Sequence, residues 1–366
     1  GDVEDLYNEH FPTKFTDGSD TALKFTGGTG DITFADTAPV FTPGDNFNTV
    51  LYTGNNGTQS ITGVGFQPDF TWIKVRDFTY NHRLFDSVRS LNGRLESNTT
   101  AAEVTNTTND NFVSFDSNGF TLGATSSTNG SNDNNKSYVA WNWKAGGAAR
   151  NNTDGSIASL VSANVDAGFS IVSQVASSGS WTVGHGLDVA PEIVFYKNLD
   201  LANAWGVWVT GFTDRDTLYL NAANAKTSVG SGTLYGSVPT STTIGTSSWL
   251  ANSGNSVISY CFHSVAGYSK IGSYTGTGAS GNTIVTGFEP AFVMIKSTGV
   301  ESWYMMDNKR LNGVYSDQLY ANLSNAEGTG QHVDFTSNGF QLDTTDGGVN
   351  NGSASYIYMA FATNPT

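Results

Sequence analysis

Two clusters in the 366-residue chain carry residue types able to do acid–base chemistry. Asp86-Ser87-Val88-Arg89 is followed by Glu103, and Asp307-Asn308-Lys309-Arg310 is followed by Glu327. Two carboxylates about 5 to 9 Å apart are what a glycosidase needs, one as acid and the other as nucleophile or base. An arginine between them works against that chemistry, because it favours the ionised form of both and makes neither an acid. The reading carried forward is a structural clasp, Asp86 with Arg89 and Glu103 and again Asp307 with Arg310 and Glu327, and no catalytic residue is assigned. A middle copy of the same region lacks Asp-x-x-Arg, which marks the pattern as local architecture.

Other chemistry-bearing residues give less. His10, His82, His185, His263 and His332 have no zinc-ligand spacing, so no metal site is assigned. The loop 129–135, Asn129 to Asn135, offers oxygen donors for calcium without an EF-hand pattern, and no cofactor is expected. Lys74, Lys197 and Lys296 recur at strand ends and read as guards against edge-to-edge aggregation rather than as contacts for an anion. Trp141 and Trp143 share a strand face, but Met359 and Phe361 at the matching places favour core packing. Trp205 and Trp208 are the candidates for an exposed aromatic pair that stacks on a ligand. Nothing matches a phosphate-binding loop or a nucleophile elbow.

The elements that position these residues recur in order. A proline opens Pro68-Asp69-Phe70-Thr71-Trp72-Ile73-Lys74, then Pro191-Glu192-Ile193-Val194-Phe195-Tyr196-Lys197, then Pro290-Ala291-Phe292-Val293-Met294-Ile295-Lys296. Tyr52-Thr53-Gly54 and Tyr274-Thr275-Gly276 precede their prolines by the same offset. Asn98 and Asn322 precede Glu103 and Glu327 by the same offset. Phe115-Asp116-Ser117-Asn118-Gly119-Phe120 matches Phe335-Thr336-Ser337-Asn338-Gly339-Phe340, a hairpin signal of type I′ character. Each copy closes on Tyr138–Trp143, Val257–Phe262 or Tyr356–Phe361. The middle copy keeps only the proline strand, Leu220-Asn221 and the closing strand.

Short β-branched and aromatic segments bounded by Gly, Asn and Ser predict an all-β chain of three tandem β-sandwich, jelly-roll-like modules of about 100 residues each. The expected division is an N-terminal arm over 1–46 and modules over 47–150, 155–266 and 267–366. Consecutive apolar positions in the proline-led strands predict that both sheet faces are covered. Helix is expected only at Thr99–Glu103, Ser324–Glu327 and the N-terminus. The small, polar stretch 145–152 reads as a flexible joint, so the expectation is an elongated rod whose first module swings against a rigid second and third.

Charged residues make up 13% of the chain and the net charge is −15. That balance disfavours nucleic acid and anionic membrane surfaces, and neither nucleic-acid binding nor membrane insertion is expected. No apolar run approaches a membrane helix and no signal peptide is legible, so the expectation is a soluble chain. Cys261 is the single cysteine, which excludes an intrachain disulfide.

The phrases Gly-Phe-x-Pro-x-Phe-x-x-Ile-Lys, Ser-Asn-Gly-Phe-x-Leu and the closure Tyr138–Gly147 resemble the tandem Gly-rich modules of marine bacteriophage virion proteins. These are the tail-fibre or concanavalin-A-like-lectin proteins, and the likeness covers residues 47–366. Val3-Glu4-Asp5-Leu6-Tyr7-Asn8 resembles the helix that ends a laminin-G-type jelly-roll, which implies a domain upstream. The resemblance implies a virion surface location after synthesis in the host cytoplasm, and a non-enzymatic appendage, a tail fibre or surface decoration. Its implied partners are other virion proteins, itself as a homotrimer, and a host-surface glycan or protein receptor. A glycan-binding lectin is the alternative. A polysaccharide depolymerase ranks below both, for want of an acid–nucleophile pair.

Overall fold

The sheet pattern follows from strands with two different apolar faces. In each of three stretches an opening strand, a closing strand, a proline-led strand and a fourth strand lie side by side in that order, all antiparallel. In the first stretch these are Phe47–Thr53, Ser137–Trp143, Phe70–Val75 and Arg83–Asp86. In the second they are Phe169–Val175, Ser256–Phe262, Ile193–Asn198 and Gly206–Val209. In the third they are Ser269–Thr275, Ser355–Phe361, Phe292–Ser297 and Trp303–Asp307. The register repeats as well: Trp143 lies between Phe47 and Phe70, Phe262 between Phe169 and Ile193, and Phe361 between Ser269 and Phe292. This computed structural model describes residues 41–362 except 92, 106–111, 126–129 and 331. The N-terminal arm up to residue 40, with its Val3–Asn8 motif and the helix expected there, and Asn129 of the Asn-rich loop lie outside the described residues.

Alternation along each strand sends one face outward and the other inward. Outward, Val50, Ile73 and Ala140 pack with Ile61, Phe112 and Phe120 of a smaller sheet, Gln59–Thr62, Gly119–Leu122 and Phe112–Asp116, completing an all-β sandwich. The third stretch builds the same outer layer with Asn282–Val285, Gly339–Leu342 and Val333–Thr336. The second keeps only Ser180–Gly184 paired with Thr243–Ser247. Inward, Phe70, Trp143, Phe292, Phe361 and Phe262 form one aromatic cluster, with Phe70 stacked on Tyr260 at 4.5 Å and Trp143 at 5.9 Å from Phe292. All six residues of each proline-led strand are therefore buried.

The three stretches close into a ring, and the expected rod does not form. Three backbone hydrogen bonds at equivalent positions join them in a cycle: Glu103 N to Leu199 O (2.8 Å), Lys226 N to Thr298 O (2.8 Å) and Glu327 N to Arg76 O (2.6 Å). A head-to-tail contact that closes after three steps has threefold symmetry, met here within one chain. At the axis Trp72, Phe195, Met294, Tyr260 and Met359 line a void of about 10 Å³, room for at most one water. Residues Pro43–Thr366 accordingly form one compact unit.

Three further expectations are corrected. The stretch 145–152 is no flexible joint: Arg150–Asn152 pairs with Ser159–Asn164, Ala145 N donates to Asp69, and Gly146 N donates to Ser162. Thr99–Glu103 and Ser324–Glu327 form no helix, because the amides of Glu103 and Glu327 are spent across the ring contacts; among the described residues helix forms at Pro43–Asp45, a 3-10 turn, and at Gly347–Asn350. The Ser-Asn-Gly-Phe hairpins exist, but their corner residues Ser117 and Asn118 do not take the positive φ of a type I′ turn. Glycine is required for another reason. Gly119 has φ 143°, and a Cβ there would stand 2.0 Å from the Ile61 carbonyl oxygen; Gly339 repeats this against Ile284.

Candidate functional site: clasps and seams

The fourth strands of the first and third stretches each end in a turn, which aims Arg89 or Arg310 back into the protein. Arg89 donates to Asp86 (2.6 Å), Glu103 (2.5 Å) and the carbonyls of Gly93 and Leu84. Arg310 donates to Asp307 (2.7 Å), Glu327 (2.8 Å) and the Met305 carbonyl. Burial works against both cations, but the adjoining Asp86 and Asp307 outweigh it and hold both guanidinium groups above their ordinary value. Every carboxylate in the two clusters is thus engaged by a fixed cation, a geometry that positions loops and offers no free acid.

The clasps also face the neighbouring stretch. Tyr260 Oη donates to Asp86 (2.7 Å), and Trp141 Nε1 donates to Asp307 (2.8 Å). By register, Asp86 and Asp307 correspond to Val209, while Tyr260 and Trp141 correspond to Met359. The acceptor and the donor are both lost at the one seam that lacks the clasp. At the remaining clasp positions there stand Phe212 and Lys226, with the lysine ammonium 5.1 Å from the phenylalanine ring. This seam has lost the buried clasp: Phe212 packs partly buried against the core of the second stretch, and the exposed Lys226 pairs with Asp216 at 3.7 Å.

A second threefold set was hidden by residue type. His82, Trp205 and Trp303 stand at the same register position, and each receives a backbone cap from an asparagine side chain: Asn98, Asn221 and Asn322. Each ring nitrogen meets the carbonyl two residues before the asparagine of another stretch. Trp205 Nε1 reaches Glu96 O (3.0 Å), Trp303 Nε1 reaches Tyr219 O (2.9 Å), and His82 Nε2 lies 2.9 Å from Tyr320 O. Trp72 donates to His82 Nδ1, so His82 donates through Nε2, and burial holds its pKa well below the usual value. The 16-residue offset to asparagine shared by His82 and Trp205 was the legible signal; the histidine in place of tryptophan, and the 19-residue offset at Trp303, concealed the set.

Trp205 and Trp208 are therefore not an exposed ligand platform. They are 0% and 5% exposed, Trp205 in a seam and Trp208 in the sandwich core. Trp249 of that stretch is 37% exposed and packs edge-on to Tyr235. Trp141 and Trp143 are buried, and so is Cys261, whose thiol burial pushes up to about 12. The three lysines are not edge guards either, since each proline-led strand lies inside its sheet. They are buried, and their ammonium groups donate to carbonyls of the following loop: Lys74 to Phe78 (3.3 Å), Lys197 to Leu201 (3.4 Å) and Lys296 to Gly299 (2.7 Å). In the Asn-rich loop Asn132 and Asp133 are tied to protein groups at Asn55, Gly57 and Gly130. No metal-ligating cluster occurs among the described residues. A polar cleft of about 640 Å³ opens in the third stretch, lined by Ser280, Asn312, Thr329, His332, Asp343 and Thr345.

A family model described as "Domain of unknown function (DUF7483)" matches residues 42–365. No curated protein and no solved structure matches the chain.

Proposed function

We propose that the chain, which belongs to the domain-of-unknown-function family DUF7483, is a non-catalytic structural protein of a bacteriophage particle. In this reading it is a surface appendage whose ring presents loops for attachment to the host. The observation that carries the reading is the fate of the candidate catalytic carboxylates. Asp86, Glu103, Asp307 and Glu327 are all consumed by Arg89 and Arg310 in holding the ring together. The virion assignment rests on the resemblance of the repeat phrases. Its partners are other virion proteins and a host-surface glycan or protein receptor. Self-association into a homotrimer is not needed to close the symmetry, which one chain already supplies. Purified chain should compete with phage adsorption to host cells and release no reducing ends from host polysaccharide. Sugar release, or adsorption unaffected at saturating protein, counts against the reading.

The cleft at Ser280, His332 and Asp343 favours glycan binding as a second reading, because every side chain lining it is polar. Binding of neutral oligosaccharides on an array, lost on Asp343→Ala, supports that reading; an array blank for the wild-type chain removes it.

A further inference from the structure

The ring carries three exposed apolar residues at one equivalent position. Phe78, Leu201 and Val300 stand at the same offset from Pro68, Pro191 and Pro290, and they are 43%, 38% and 72% exposed. Equivalence about a threefold axis places all three at the same end of the ring. Each sits on a loop that is held unusually firmly. The loop's first carbonyl, of Arg76, Leu199 or Thr298, accepts the backbone bond from the neighbouring stretch. The buried lysine beneath it donates to the carbonyls of Phe78, Leu201 or Gly299. In two of the loops an aspartate adds a tie, Asp77 to Ser137 N and Asp200 to Ser256 N.

Burying three ammonium groups only to fix three loops is costly, and it preorganises what those loops display. Each tip also carries an acid beside its apolar residue, Asp77 next to Phe78, Asp200 next to Leu201 and Glu301 next to Val300, and at the first tip the Lys136 ammonium lies 3.2 Å from the Phe78 ring, leaving the other two tips the more acidic. We propose that the three tips form a docking face for one threefold-symmetric protein, a homotrimer whose end presents apolar pockets flanked by Lys or Arg. Three tips at equivalent positions, differing in side chain but alike in placement, are met together by a partner of matching symmetry, and simultaneous engagement multiplies weak contacts. A second copy of the chain is disfavoured, because it would set the acids of the Leu201 and Val300 tips against acids on molecules of net charge −15. The inference rests on the attachment reading for its biological setting and on the ring alone for its geometry.

The test places the photo-cross-linking amino acid p-benzoylphenylalanine at 78, 201 or 300 in the chain as it is made in the producing cell. Val285, 62% exposed on the outer sheet, serves as the control position. Mass spectrometry of the trapped species and its native mass follow. The expected result is one polypeptide trapped from all three tips and not from 285, trimeric by native mass. Phe78→Ser/Leu201→Ser/Val300→Ser should then lose that partner at unchanged thermal stability, each tip weakening binding about tenfold or more. Different proteins from the three tips, trapping of the chain itself, a monomeric partner, or no product at all overturns the docking face. Whether a trapped trimer belongs to a virion tests the attachment reading separately.

Discussion

Removing the Arg310 guanidinium tests whether the clasps hold the ring. The side chain is 0% exposed, as is Asp307, and Arg310→Ala deletes its bonds to Asp307, Glu327 and the Met305 carbonyl. Breaking a buried pair on one side leaves Asp307 uncompensated, at a cost of about 4 kcal/mol. Arg76 is the internal control. It bonds the same Glu327 at 2.7 Å but is 25% exposed, so Arg76→Ala should cost no more than about 1 kcal/mol. With an unfolding entropy of about 2.1 cal/mol/K per residue over roughly 320 residues, 1 kcal/mol moves Tm by about 1.5 °C. Scanning calorimetry should therefore find Arg310→Ala lower by about 6 °C and Arg76→Ala by about 1 °C, with Arg89→Ala resembling Arg310→Ala. Equal small shifts for Arg310 and Arg76 would refute the reasoning, because solvent would then be doing the work assigned to the buried carboxylates.

Three other perturbations follow from the same contacts. Val209→Asp puts a carboxylate where Phe212, not arginine, stands at the clasp position, and should destabilise by about 3 kcal/mol or more in calorimetry; a neutral effect would mean that seam tolerates charge. Gly119→Ala meets the Ile61 carbonyl, whereas Gly63→Ala has φ 90° but open space, so denaturant titration should show the first losing at least about 2 kcal/mol more than the second. Burial lowers Lys74 to about 7 and Lys197 and Lys296 to about 8, from an ordinary 10.5. The unfolded chain then binds more protons across that window, so stability should rise from about pH 7 towards pH 10. Lys74→Met should flatten the lower part of that rise, and a Tm that falls between pH 7 and 9 contradicts the assignment.

The proline-led and closing strands, the hairpins and the clasp partners were legible because they depend on local pattern and on repeated spacing; the order of strands within each sheet was not. Covered faces were legible too, from consecutive apolar residues such as those of Phe70–Ile73. The ring was not, since Phe70 meeting Tyr260 and Arg76 meeting Glu327 are long-range contacts that leave no spacing signal. Lys74 looked like an edge residue because the sequence does not say that Ser137–Trp143 and Arg83–Asp86 flank its strand on both sides. Trp205 looked like a platform because its seam acceptor, Glu96 O, belongs to a different stretch. His82 concealed its equivalence to Trp303 because either ring can supply the one N–H that the position needs.

The most direct test of the central claim is quantitative mass spectrometry of purified phage particles for peptides of this chain, with enzyme assays on the same particles. A fixed number of copies per particle, retained through density-gradient purification and without polysaccharide hydrolysis attributable to the chain, is the expected result. Absence of the chain from particles that its own producing cell releases would contradict it.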